Sequence, residues 1–328
     1  MRKGLFSGIV ALVILATISL MTGPHFYSLT QLINALFQSD PTRIVDIIIH
    51  TSRIPRTLLA MGVGAFLAVA GGLMQALTRN PLASPGLFGV NAGAALFIVF
   101  AGSFFAMNSP ASSLVLAFCG ACATGTLVWF ASKVSNGQLN PLRLVLAGVA
   151  ITALCNAFTQ AILVVDQESL DTILFWLAGS LVRSDGASIY PVLLLGSVLV
   201  IAACLFARQM SVLNAGEDIA RGLGQNIARV RLFASIMVVG LAGCAVALAG
   251  NIGFIGLIVP HIARQLFGSH LSRSLPACAL LGALLLLAAD IIARVIILPQ
   301  EVPVGVMTAL MGAPFFILLA QRGGKYAR

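Results

Sequence analysis

The chain has 328 residues, of which 59% are hydrophobic and only 9% charged, with a mean hydropathy of +1.03. An ordinary soluble domain carries about 25% charged residues. Too little polar surface is available here to clothe a soluble globule, and the composition is the opposite of a disordered chain's. Apolar runs occur along the whole length, which excludes a soluble domain on one anchor and leaves an all-α polytopic membrane protein. The net charge is +9, from 19 Lys and Arg against 10 Asp and Glu. In a soluble protein that excess would point to nucleic acid, but no basic cluster is interleaved with aromatics. Basic residues collect in the cytoplasmic loops of membrane proteins in any case.

A helix needs about 20 apolar residues to cross the hydrocarbon core. Met1-Arg2-Lys3 leads into an apolar run from Gly4 to about Met21. The run is long for a signal peptide and lacks a small-x-small cleavage site, so it reads as a retained first span with its basic end in the cytoplasm. Further spans are predicted at 56–77, 88–106, 113–132, 142–164 and 188–206. In the second, Ala60, Gly64, Ala68, Gly72 and Ala76 recur every fourth residue, a groove of small residues into which another helix can pack closely. The fifth carries Thr152, Asn156 and Gln160 at i, i+4 and i+8, with Thr159 beside them. That stripe serves either interhelical hydrogen bonding or the wall of a polar pathway.

The loop at 208–231 holds Gly216, Glu217, Asp218, Ala220, Leu223 and Gly224. Acids at 217 and 218 suit the first turn of a short helix, Gly222 and Gly224 can close it, and Ile219 and Leu223 share one face. Glu217 and Asp218 are the only acids expected on the cytoplasmic side, which favours a protein partner over mere interfacial binding. Residues 232–263 then run 32 residues without a charge, about 48 Å as one helix. Gly250, Gly253, Gly256 and Pro260 break such a helix, so two spans are expected there, at 232–249 and 252–267, followed by 275–297 and 303–320. Ten spans place 14 of the 19 basic residues on the cytoplasmic side, and both basic termini call for an even number. Arg43, Arg53, Arg56, Arg183 and Arg294 remain outside.

No phosphate loop, H-E-x-x-H or G-x-S-x-G motif occurs, so the chain has neither an ATP site of the usual kind nor a hydrolase signature. The six cysteines, including Cys119-x-x-Cys122, lie in apolar runs and read as packing residues rather than a metal or redox set. Asp290 is the only acid inside an apolar span. It stands i, i+4 from Arg294, and the two can pair. The scarcity of mid-membrane acids weighs against a proton-coupled secondary transporter.

Several segments together resemble one family, the FecCD-type permease subunits of ABC importers for iron–siderophore complexes, haem and cobalamin. They are Arg53-Ile-Pro-Arg-Thr-Leu58, Gln75 to Asn91 (QALTRNPLASPGLFGVN), Leu146-Ala-Gly-Val-Ala150, Gly216-Glu217 with Ala220 and Leu223-Gly224, Gly253 to Ile262 (GFIGLIVPHI), Leu287 to Arg294 (LAADIIAR), and Glu301 to Gly305 with Gly312-Ala-Pro314. The resemblance implies a single permease domain over 1–328 with type II importer architecture and about ten transmembrane helices, in the bacterial inner membrane with both termini cytoplasmic. It implies a second permease subunit, identical or paralogous, two ATP-binding cassette subunits that carry ATP and Mg, and a periplasmic or lipid-anchored binding protein. The chain itself is expected to be no enzyme and to hold no cofactor or metal, its other contacts being membrane lipid. The implied cargo is a ferric siderophore, with haem or cobalamin as alternatives. Carried onto this sequence, the loop helix at 216–224 couples to the ATPase. Thr152, Asn156, Thr159 and Gln160 line the pathway, and Arg53, Arg56 and Arg294 receive carboxylates of the binding protein.

Overall fold

A computed structural model describes residues 2–38, 40–105, 107, 109–133, 141–165, 176–182, 188–298 and 300–323. Of the basic residues assigned to one side or the other, Arg183, Lys325 and Arg328 lie outside the described residues. Among the described residues every regular element is helical. The elements are α1 (Arg2–Met21), α2 (Leu29–Phe37), α3 (Ile44–Ile48), a π-helical turn (Ile49–Arg53), α4 (Ile54–Thr78), a 3-10 turn (Pro85–Phe88), α5 (Val90–Phe105) and α6 (Pro110–Ser132). They continue with α7 (Pro141–Val165), α8 (Ile189–Ala215), α9 (Glu217–Gly222), α10 (Ile227–Ala249), α11 (Ile255–Phe267), α12 (Leu271–Val295) and α13 (Val304–Gly323).

Each of the ten predicted spans coincides with a helix. Seven are long and apolar enough to cross a membrane, namely α1, α4 with the turns before it, α6, α7, α8, α10 and α12, while α5, α11 and α13 are shorter apolar helices. The fold is built around α4, which packs against α8, α10, α11 and α12 and is buried along nearly its whole length. Its small residues explain how. A Cβ on Gly71 would overlap the backbone of Gly256 in α11, so the two helices touch main chain to main chain, which only glycine allows.

The long uncharged stretch divides as expected. Helix α10 ends at Ala249, and Gly250 takes φ +71°, a conformation that turns the chain at little steric cost. Pro260 then sits inside α11 and cannot donate to the carbonyl of Gly256. The buried amide of Gln75, on α4, supplies the missing donor, with Nε2 3.5 Å from the Gly256 oxygen and 3.2 Å from that of Leu257.

Two features depart from the sequence expectation. Helix α8 runs nine residues past the predicted end of its span, to Ala215, so most of 208–231 is helix and only short links flank α9. The charge at Arg208 ends an apolar run but is a good helix former. Between the first two spans the chain folds into α2, α3 and the π turn, where Leu32, Ala35 and Ile49 form a small second core against Leu20, Met21 and Tyr27. Ser28 and Gln31 close a capping box at the start of α2.

Candidate functional site: two ion clusters and a polar helix face

At one end of the bundle a helix terminus and two acids gather three arginines. Asp290, on α12, is fully buried. Its Oδ1 accepts from Arg56 Nε at 3.0 Å and Nη2 at 2.9 Å, its Oδ2 from Arg294. Arg56 also donates to Glu301 Oε2 at 2.6 Å, which ties in the segment before α13. Arg294 reaches across to α1, donating to the Ser19 carbonyl at 3.0 Å and to Ser19 Oγ at 3.1 Å. Arg53 donates to the Leu20 carbonyl at 2.7 Å and the His25 carbonyl at 2.5 Å, and its guanidinium lies 4.2 Å from the Tyr27 ring centroid.

The three arginines expected to stand on the outer rim as docking cations are therefore turned inward. Arg53 is 5% exposed and Arg294 2%, and Arg56 is spent on two acids. The physical reason is the end of α1. A helix leaves its last four carbonyls without intrahelical donors, and its C-terminus attracts cations. Arg53 and Arg294 fill that demand. The π turn widens the backbone just before Arg53. Of the alternatives open for Arg294, the one formed is the pair with Asp290.

The polar stripe of α7 divides. Thr159 is buried and its Oγ1 donates to the Cys155 carbonyl at 2.8 Å, a bond within its own helix. Thr152 is half-buried beside Gly89. Asn156 and Gln160 are exposed, on a helix that leaves most of its surface open. A further polar contact, Asn91 Nδ2 to Asn251 Oδ1 at 2.6 Å, joins the start of α5 to the loop before α11. Both asparagines stand in or beside the quoted motifs, but their pairing had no signature in spacing.

At the opposite end of α4 lies the second cluster. Gly216, with φ +143°, turns the chain from α8 into α9. Glu217 opens that helix, and its carboxylate accepts from Arg231 Nη2 at 2.5 Å, with Arg79 at 3.8 Å and Arg221 at 3.9 Å. Asp218 is exposed beside it. Ala220 is fully buried against the bundle, and Gly224 closes the turn with φ +73°, its N–H donating to the Arg221 carbonyl at 2.9 Å. The carboxylate thus fastens the short helix to its own chain. Beside the exposed charges of Asp218 and Arg221 that helix offers outward an apolar pair, Ile219 at 54% and Leu223 at 70% exposed. Among the described residues no group of His, Cys, Asp and Glu has the arrangement of a metal site.

A family model described as the FecCD transport family matches residues 11–322. Curated relatives include the Fe(3+)-citrate import system permease protein YfmD of Bacillus subtilis, 44% identical over 93% of this chain and 90% of that protein. The ferric enterobactin transport system permease protein FepD of Escherichia coli is 40% identical over 96% and 94%. Among solved structures, an inward-facing conformation of a transporter described as metal-chelate type ABC superposes with a TM-score of 0.85 at 32% identity, over 98% of this chain and 100% of that one. On these matches, with the helical bundle that carries them, the chain belongs to the FecCD transport family.

Proposed function

We propose that this chain is the membrane permease subunit of an ATP-driven importer that passes a ferric siderophore or related iron chelate from the periplasm to the cytoplasm. In this reading all ten apolar helices cross the bacterial inner membrane and both termini are cytoplasmic. A second permease subunit completes the pathway, two ATP-binding cassette subunits hydrolyse ATP, and a binding protein delivers the cargo. The observation that carries it is α9. A short helix held at the end of the bundle by Glu217, Arg231 and Arg79 presents Ile219 and Leu223 to the outside. A sequence without a nucleotide motif needs such a contact to receive work from another subunit. Asn156 and Gln160 then face the pathway between the two permeases, with Thr152 deeper and Thr159 supporting the helix from within.

The iron cargo rests on the relatives, whose names specify ferric citrate and ferric enterobactin. A haem cargo is the second reading, since the hemin transport system permease protein HmuU of Yersinia pestis is 42% identical. A docking role for Arg53, Arg56 and Arg294 requires the buried cluster to open, an acid of the binding protein replacing Asp290 or Glu301 as partner. The test is uptake of radiolabelled iron chelates, hemin and cobalamin by cells lacking the chain, complemented with it and its ATPase and binding subunits. Chelate uptake that needs all the subunits is expected. Uptake that persists without the ATPase subunits and follows the proton gradient would overturn the reading.

A further inference from the structure

The segment between the first two spans exposes an apolar strip that neither ion cluster uses. Residues 22–39 contain no Asp, Glu, Lys or Arg. Within them α2 divides into three sectors, whose centres stand about 120° apart at about 100° per residue. Leu32 and Ala35 form the first, buried in the small second core against which Leu20, Met21 and Ile54 pack. Leu29, Ile33, Leu36 and Phe37 form the second, which is apolar and exposed. Thr30, Gln31 and Asn34 form the third, which is polar and exposed.

A helix with water on both of its open sides has no use for an apolar sector on one of them. The pattern here is that of a helix with protein on one side, lipid on the second and water on the third. Its level agrees. The 18 residues Gly4–Met21 cover about 27 Å at 1.5 Å per residue, close to the hydrocarbon thickness of about 30 Å. Leu20 and Met21 therefore stand where the hydrocarbon ends, and so does the core that α2 shares with them. The strip is also held in place. The capping box of Ser28 and Gln31 fixes the start of α2, and His50 Nε2 donates to the Ala35 carbonyl at 3.0 Å. Arg53 holds the His25 carbonyl and the Tyr27 ring ahead of the helix. The Asp40 N–H donates to Asp46 Oδ2 at 2.8 Å, which closes the turn into α3.

We propose that α2 lies flat in the headgroup region of the bilayer, with Leu29, Ile33, Leu36 and Phe37 among the acyl chains and Thr30, Gln31 and Asn34 in water. The partner is the lipid surface itself. Because the segment has no cation of its own, its attachment rests on apolar burial and not on headgroup charge. Through Tyr27 and the His25 carbonyl the helix sets the depth at which Arg53 and the end of α1 stand. The proposal needs only that α1 and α4 cross the membrane; the leaflet is the outer one under the orientation proposed above.

The test is a depth measurement by electron paramagnetic resonance on the complete transporter in phosphatidylcholine nanodiscs, with single spin labels in a cysteine-free background. Labels on Leu29→Cys, Ile33→Cys and Phe37→Cys should lie about 5–10 Å below the headgroup boundary. They should collide with oxygen in preference to an aqueous nickel chelate. Labels on Asn34→Cys and Gln38→Cys should show the reverse, and adding phosphatidylglycerol should change neither depth. If replacing the native cysteines weakens the fold, Ile33→Trp and Asn34→Trp in the parent give the same contrast. Brominated phosphatidylcholine should quench the added fluorescence of the first and spare that of the second. Equal access of the nickel chelate to both sets of labels, equal depth of both sets, or insertion only with phosphatidylglycerol present would overturn the proposal. Protection of positions 29, 33 and 37 that appears only when the binding protein is added would also overturn it and make the strip a docking face. The readout is position in the membrane, so it is independent of the cargo that the transporter moves.

Discussion

Asp290 is the residue whose removal the structure prices most sharply. It is fully buried and neutralises Arg56 and Arg294 at once. Asp290→Asn keeps the shape, removes the charge and leaves two guanidiniums with one acid between them. Removing one partner of a buried ion pair costs about 3–5 kcal/mol, because the other charge stays buried. Here part of the deficit is absorbed. Arg56 retains Glu301 at 2.6 Å, and Arg294 retains the Ser19 carbonyl and hydroxyl. The expected cost is therefore at the low end, about 3 kcal/mol. Glu301→Gln should cost about 1 kcal/mol, since that side chain is partly exposed and its pairing is screened.

Unfolding of such a protein is commonly irreversible, so the suitable measure is the first-order rate of thermal inactivation in detergent at one temperature. If the cost falls on the barrier, D290N should inactivate roughly 100-fold faster and E301Q roughly 5-fold faster than the parent, at 1.4 kcal/mol per tenfold. D290N/R294Q, which removes one charge of each sign, should recover part of the loss. Parent-like stability of D290N, or a larger loss in E301Q, would refute the account of the cluster as a structural clamp and return Arg294 to a free, docking-competent state.

Leu223→Asp should lower transport and ATPase coupling at least tenfold while the permease folds and inserts normally, because it changes only an exposed face; coupled turnover in proteoliposomes checks it. Asn156→Trp and Gln160→Trp should block uptake with the complex still assembled, whereas Thr159→Val should cost about 1 kcal/mol of stability and leave uptake intact; normal uptake by both tryptophan variants would return the stripe to helix packing. Gly71→Leu should abolish folding, read as loss of the monodisperse peak in size-exclusion chromatography, since no side chain fits against the Gly256 backbone. A cysteine at Ser272 in a cysteine-free background should resist impermeant reagents added from outside; strong labelling from that side would break the proposed orientation.

The helices were legible because hydrophobicity is a one-dimensional property. Apolar runs, the four-residue spacing of Ala60 to Ala76 and the glycines after Ala249 all write themselves along the chain. Even so, Arg208 was read as the end of a span when it only marked the end of the apolar core. Charge positions were legible and charge partners were not. Arg56 meets Asp290 and Glu301 across more than two hundred residues, and nothing local in the sequence encodes that. The Asp290–Arg294 pair, spaced i, i+4, is one that local spacing does encode. The arginines looked like rim residues because each stands beside a span end. The inward turn of Arg53 and Arg294 depends on the unfilled carbonyls of α1, a helix that itself looked featureless, and that of Arg56 on the distant Asp290 and Glu301. For Glu217 the helix position is legible from the acids after Gly216, and the shared face of Ile219 and Leu223 from their spacing, but its hold on Arg231 and Arg79 is not.

The two clusters gain meaning from the helix between them. Arg56 stands in the first turn of α4, and Arg79 caps its last turn in a left-handed conformation. Arg56 meets the fully buried Asp290 as well as the partly exposed Glu301; Arg79 lies 3.8 Å from Glu217, which is partly exposed. These attachments differ in strength for a physical reason. The buried network is held by desolvated, hydrogen-bonded charges that are costly to separate, while an exposed pair is worth about 0–1 kcal/mol and is screened by salt. A motion that gives alternate access must move helices relative to α4 or carry them with it. Since α12 and the segment before α13 are clamped to the Arg56 end, they travel with α4, and the lower-energy place to yield is at the Arg79 end, where α9 sits. The helix that presents Ile219 and Leu223 is thus tied to α4 by the weaker pair and to α10 by Arg231, 2.5 Å from Glu217, so a force applied to α9 from outside the chain is passed to α10 more firmly than to α4.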